Sequence, residues 1–124
     1  PIMGARWGAL AGYAAVDPSF LANLGENTSF QQAAAFPLVS LTAIQGLTQL
    51  DTIGTRSILI HAVAGGVGTF AIQYAKHVLN IETVATTASA GKAALLKELG
   101  ADLVVDYREN KFEDIIQDYD AVLD

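Results

Sequence analysis

The sequence predicts an α/β fold built on a doubly wound parallel sheet, and three observations carry that expectation. Residues 57–62, SILIHA, form an apolar run rich in β-branched side chains and too short for a buried helix. Such a run reads as a strand covered on both faces, as in a parallel sheet. A turn of small residues follows, Ala64-Gly65-Gly66-Val67-Gly68, and after it Val67, Phe70, Ala71, Tyr74 and Val78 fall at helical spacing. From there to residue 124 strand-like and helix-like patterns alternate, which implies parallel strands joined by crossovers.

Taken in order, residues 1–8 show no period and no capping signal. Residues 10–16 are a short run of apolar and small residues holding Tyr13, read as a strand, and Asp17-Pro18 marks a turn. Ser29 and Gln32 match a capping box, so a helix is expected over 30–36 and is expected to break at Pro37. A second helix, 39–50, would place Leu41, Ile44, Leu47 and Thr48 on one side. Beyond the central strand, residues 82–87 read as the next strand. Ser89 would cap a helix with Leu95, Leu96 and Leu99 on its apolar face, and Gly100 would end it. A third strand is expected at 103–105, helical spacing links Phe112, Ile115, Ile116 and Tyr119, and a fourth strand begins at 121. Sheets of this type normally complete a second half. The chain is therefore expected to be a segment of a longer protein.

The glycine turn has a physical logic. Unpaired N–H groups and the helix dipole make a helix N-terminus favourable for a phosphate, and side chains must be absent where the backbone approaches it. The dinucleotide fingerprint G-x-G-x-x-G is matched at Gly65 and Gly68, with Val63 in the first position. By itself, this partial match fits a plain tight turn equally well.

Composition narrows the function classes. Of 124 residues, 52% are hydrophobic and 16% charged, which suits one domain with a full core. Seven basic against thirteen acidic residues give a net charge of −6, which argues against nucleic-acid or anionic-membrane surfaces. The sequence has no cysteine, hence no disulfide and no thiolate metal site. No apolar run is long enough to span a bilayer, and the first ten residues lack a signal-peptide pattern. A cytoplasmic location is the default expectation.

Five stretches together resemble one family: AAAFPLVSLTAIQGL (33–47), ILIHAVAGGVGTFAIQYAK (58–76), TTASAGK (86–92), LKELGAD (96–102) and VVDYRE (104–109). In order and spacing they resemble the medium-chain dehydrogenases/reductases, specifically the zinc-independent NADPH:quinone oxidoreductase branch, which includes zeta-crystallin. The resemblance covers roughly three quarters of the chain. It implies a Rossmann-type sheet, present as its first half, preceded by the tail of a GroES-like β-rich catalytic domain. The implied division is 1–28 for that tail and 29–124 for a partial NADP(H)-binding domain. The family's A-x-x-G-x-x-G turn falls on Ala62, Gly65 and Gly68. Gly65, Gly66 and Val67 would then face the pyrophosphate, with Ala64 and Gly68 counted among the cofactor-binding residues of the turn.

Cofactor choice is read after the second strand. NAD-selective folds place an acid about twenty residues past the glycines to bind the ribose 2′-OH. Here Thr86-Thr87-Ala88-Ser89-Ala90-Gly91-Lys92 offers hydroxyls and a lysine, which suit the 2′-phosphate of NADPH. The resemblance sets Lys92 and Tyr107 at that end, and Thr86 and Ser89 are the candidate hydroxyls beside them. The plainer alternatives are a solvated helix face for Lys92 and a helix cap for Ser89.

The resemblance also bears on the reaction centre. Zinc-dependent relatives carry a cysteine in the segment matching 36–42, where this chain has Leu38, so no metal is expected. Thr42 resembles the position near the nicotinamide, its plainer alternative being an ordinary helix hydroxyl, while Ser40 stands where the family usually has glycine. His61 is either an acid/base group or, more simply, a residue packed beside the turn. Tyr107 and Lys111 fit the Y-x-x-x-K pair of short-chain dehydrogenases, but that pair lies on a late helix and this one straddles a strand end. It is rejected.

The expected function of the complete protein is hydride transfer from NADPH to a quinone or α,β-unsaturated carbonyl, without covalent catalysis and with no catalytic residue assigned. The other reading is a non-catalytic NADPH-binding module. The family is often dimeric, which the resemblance extends to the full-length protein. No nucleic acid or membrane partner is expected.

Overall fold

The computed structural model describes residues 10–50, 54–61, 63 and 65–124. They divide into two compact units, one ending at Leu38 and the other Val39–Asp124.

In the first unit, residues 10–17 are turn, bend and irregular backbone. The strand expected there does not form. Leu10 and Tyr13 are fully exposed, and among the described residues no strand pairs with this segment, so its ladder is unmade. Asp17 caps a 3-10 turn, Pro18–Phe20, by accepting the Ser19 N–H at 2.8 Å and its hydroxyl at 2.7 Å. Helix α1 then runs Phe30–Gln49. Its start is the expected capping box: Ser29 N donates to Gln32 Oε1 at 3.0 Å, and Gln32 N donates to Ser29 Oγ at 3.2 Å. The expected break at Pro37 does not occur, and α1 passes through it as one helix. Proline removes one bond of the ladder, but strong helix formers flank it on both sides, and the later half is held by packing.

In the second unit, four parallel strands lie in the order β3-β2-β1-β4: β1 Ser57–Ile60, β2 Thr83–Ala88, β3 Leu103–Asp106 and β4 Ala121–Leu123. Helix α2 is Gly66–His77 and α3 is Ala93–Glu98. The chain winds outward from β1 to β3 and then returns to the other side of β1. The topological switch point therefore lies between β1 and β4.

Alternate strand residues divide the core. Ile58, Ile60, Val84 and Ala88 join Ala43, Leu47, Ala71, Ile72, Ala75 and Leu96 on the helical face; Leu59, Ala85, Val105 and Ile116 form the other. On α1 the inward stripe is Ala43 and Leu47, with Gly46 against Leu123, whereas Leu41 and Thr48 are exposed. The stripe expected through Leu41 and Thr48 is thus rotated. On α2 the small residues Ala71 and Ala75 face inward with Ile72, and Val67 and Val78 face out, because close helix–sheet approach selects small side chains.

Gly100 ends the α3 segment at φ +112°, as expected. The helical spacing at Phe112–Tyr119 yields only a 3-10 turn, Phe112–Asp114. Asp118 at φ +58° is incompatible with a continuing right-handed helix, and Asp120 must reach back to β1. Phe112, Ile116 and Tyr119 still pack on the sheet.

Carboxylates fix the strand starts. Asp120 Oδ2 accepts the Arg56 N–H at 2.9 Å, the Ser57 N–H at 2.8 Å and the Ser57 hydroxyl at 2.8 Å, which hold its pKa below the ordinary range. Asp102 does the same for β2 and β3. Among the described residues, no helix is long and apolar enough to cross a membrane.

Candidate dinucleotide site

A crevice of about 260 Å³ opens where β1 and β4 end. Thr42, Gly46, His61, Val67, Gly68 and Leu123 line it. The His61 N–H donates to the Leu123 carbonyl at 2.9 Å, extending the β1–β4 pairing to the crevice floor. This is the switch point, outside the carboxyl ends of the strands, where open α/β sheets hold ligands. The crevice brings together Thr42, Val67 and Gly68 from the sequence-derived set.

The glycines of the turn have different surroundings. A β-carbon on Gly68 would stand 2.3 Å from Val63 Cα, so this glycine lets the first turn of α2 lie closely against the turn that follows β1. One on Gly66 would stand 2.8 Å from Val39 Cγ1. One on Gly65 would meet nothing within 4 Å. Gly65 is the N-cap of α2, in ordinary extended backbone (φ −96°, ψ 176°), with no capping side-chain bond and no acidic residue in the first turn. The first-turn N–H groups of a helix lack partners within it, and the dipole adds partial positive charge. Thr69 Oγ1 donates to the Gly65 and Gly66 carbonyls at 3.1 and 3.0 Å and steadies the turn from behind. Open backbone at Gly65 beside closed backbone at Gly68 fits a pyrophosphate of a dinucleotide. Ala62 and Ala64 lie outside the described residues.

The carboxyl ends of β2 and β3 carry the other sequence-derived residues. Thr86 needs correction: its side chain is fully buried and its hydroxyl donates to the Ile60 carbonyl at 2.8 Å. It ties β2 to β1 and presents no hydroxyl to a cofactor. Ser89 caps the 3-10 turn Ala90–Lys92 by position, without a side-chain bond. The expected helix cap is supplied instead by Asp106 Oδ2, which accepts the Ala90 N–H at 2.9 Å. Lys92 is exposed at the end of that turn, and Tyr107 is exposed in the turn after β3. The Tyr107 N–H reaches the Ala88 carbonyl at 3.4 Å, so the loops after β2 and β3 are neighbours.

His61 is half-buried. Its Nδ1 lies 3.0 Å from Thr87 Oγ1, and its ring meets Phe112 edge-on with centroids 4.6 Å apart. These contacts fit the packed reading. Sequence reasoning gave no role to Asp106 or Arg108, although both stand in the VVDYRE stretch it quoted. An acid ending a strand carries no pattern that announces which loops it will hold.

A profile of the zinc-binding dehydrogenase family matches residues 66–123. The chain is 46% identical over 119 residues to 2-methylene-furan-3-one reductase of Solanum lycopersicum, covering 96% of this chain and 31% of that protein. It is 44% identical over 119 residues to the chloroplastic NADPH-dependent alkenal/one oxidoreductase of Arabidopsis thaliana, with the same two coverages, 96% and 31%. Among solved structures, the quinone oxidoreductase of Thermus thermophilus, determined alone and with NADPH, superposes with a TM-score of 0.79 at 34% identity, covering 94% of this chain and 39% of that one. The chain thus spans about a third of the length of the curated relatives it matches.

Proposed function

The chain belongs to the medium-chain dehydrogenase/reductase superfamily, and from that premise we propose that it is the NADPH-binding portion of an oxidoreductase passing a hydride to a quinone or α,β-unsaturated carbonyl. The observation that carries the proposal is the turn at Gly65–Gly68: open where a pyrophosphate would approach, closed at Gly68 where the helix lies against Val63, and next to the crevice at the switch point.

Bound NADPH supplies the hydride. The chain's own residues bind and orient. The backbone N–H groups of Gly65, Gly66 and Val67 face the pyrophosphate, whose negative charge the α2 dipole favours. Ser89, Lys92 and Tyr107 hold the 2′-phosphate by donated hydrogen bonds and charge. Thr42 and the crevice walls position the nicotinamide end and exclude water from it. No covalent step on the protein is required.

The same proposal includes independence from zinc. Leu38 stands where zinc-dependent relatives carry a ligand, and its side chain offers no donor. The family profile, beginning at residue 66, does not reach that position.

The test is a titration of the full-length protein with NADPH and with NADH, followed by nicotinamide fluorescence and repeated with Lys92→Ala. Tighter binding of NADPH, lost in the variant, is expected and would justify screening quinones and enones. Binding of neither nucleotide would leave a structural module, and preference for NADH would refute the reading of the loop after β2.

A further inference from the structure

The loops after β2 and β3 are fastened together by one carboxylate. Asp106, the last residue of β3, pairs in register with Ala88 at the end of β2. Its Oδ2 accepts the Ala90 N–H at 2.9 Å and its Oδ1 accepts the Arg108 N–H at 2.9 Å. The Ala90 bond anchors the turn that ends in Lys92, and the Arg108 bond anchors the turn that carries Tyr107. Each carboxylate oxygen is thereby engaged by a backbone donor of one of the two loops.

Arg108 differs from two other cations of the second unit. Arg56 is paired with Glu82 at 2.9 Å, and Lys76 with Asp102 at 2.8 Å. Arg108 meets no carboxylate among the described residues. Its guanidinium carbon lies 5.9 Å from the centre of the Tyr107 ring, a distance at which the ring face attracts and orients a cation. A planar guanidinium with several fixed donors suits two oxygens of one phosphate better than an ammonium does.

We propose that Arg108 is a second cation for the 2′-phosphate of NADPH, and that Asp106 is the positioning residue that sets the Lys92 and Arg108 loops around it. The inference rests on the NADPH reading and adds two residues to it. Arg108 supplies charge and paired donors. Asp106 touches no ligand and acts through the loops it holds.

Calorimetry on the full-length protein with adenosine 2′,5′-bisphosphate and adenosine 5′-monophosphate separates the possibilities, since only the first carries a 2′-phosphate. The unaltered protein prefers the bisphosphate. Arg108→Ala lowers affinity for it about tenfold, in keeping with a charge-assisted bond, and leaves the monophosphate unchanged. Arg108→Lys recovers part of the loss. Asp106→Asn, which keeps one acceptor oxygen and the shape, lowers the ratio less than Asp106→Ala does. A ratio unchanged in Arg108→Ala would overturn the role of Arg108. Equal loss of both nucleotides in Asp106→Asn, or no loss of either, would overturn that of Asp106. Absence of preference in the unaltered protein would instead remove the NADPH reading, and this inference with it.

Discussion

Val63 Cα lies 2.3 Å from the point that a β-carbon on Gly68 would occupy. The obstacle is backbone, so no change of rotamer relieves it. Helix α2 must move away from the residue that follows His61 and Ala62, and Ala71, Ile72 and Ala75 move with it. Gly68→Ala is expected to destabilise the protein by at least about 1–3 kcal/mol, the range for overpacked interiors. Urea unfolding should show a lowered midpoint with an unchanged slope. An unshifted midpoint would mean that the contact of α2 with Val63 is looser than the structure has it.

Thr86 offers a clean separation of structure from binding. Its buried hydroxyl bonds the Ile60 carbonyl, at the end of the strand that leads into the glycine turn. Thr86→Val keeps the shape and removes the donor. A loss of about 1–3 kcal/mol in stability is expected, from the carbonyl left short of a partner, with NADPH affinity unaltered at temperatures where the variant is folded. Weakened NADPH binding with no loss of stability would return Thr86 to the cofactor site.

Asp102 should give the protein an acid limb. Its Oδ2 accepts Lys76 Nζ at 2.8 Å and the Val84 N–H at 2.8 Å. Burial opposes its ionisation, but these bonds together outweigh that and hold its pKa below the ordinary 3.8. A carboxyl lowered on folding contributes stability that is complete above the unfolded value and is lost as pH falls through the folded one. Unfolding midpoints should therefore fall below about pH 4, and Asp102→Asn should flatten that fall while lowering stability at pH 7. Equal acid limbs in both proteins would assign the effect to other carboxylates.

How much of this was legible beforehand follows from how local each signal is. Ser29 and Gln32 find each other within one turn, and Gly100 ends its helix by its own φ, so both could be read from neighbours in sequence. The β-rich run at Ser57 and the small residues after it marked the strand and turn for the same reason. Pro37 misled because a local penalty was overruled by packing of the later half of α1. Residues 10–16 misled in the other direction, since strand propensity means nothing without a neighbour to bond. At the site, Gly65 and Gly68 are alike in sequence, and only the contact with Val63 tells them apart. Thr86 and Thr87 are adjacent hydroxyls, yet strand alternation sends one to Ile60 and the other to His61. Asp106 works across two loops, a relation that residue spacing does not encode.

The sharpest prediction uses Gly65, where stability and binding should move in opposite directions. Gly65 caps α2 in extended backbone that any residue adopts, and a side chain there meets nothing within 4 Å. Aspartate is among the best N-caps, because its carboxylate accepts first-turn N–H groups and complements the helix dipole, and the first turn of α2 holds no acidic residue. Gly65→Asp should therefore stabilise the fold by about 0.5 kcal/mol. The same carboxylate would occupy the approach of the pyrophosphate and repel it, a like-charge contact that costs several kcal/mol, or at least about a hundredfold in affinity for NADPH. Thermal melting and nicotinamide fluorescence on one preparation read both effects. A variant that melts higher and still binds NADPH as before would show that the pyrophosphate does not rest on this turn. A variant that melts markedly lower would show that the space beside Gly65 is filled in the folded protein.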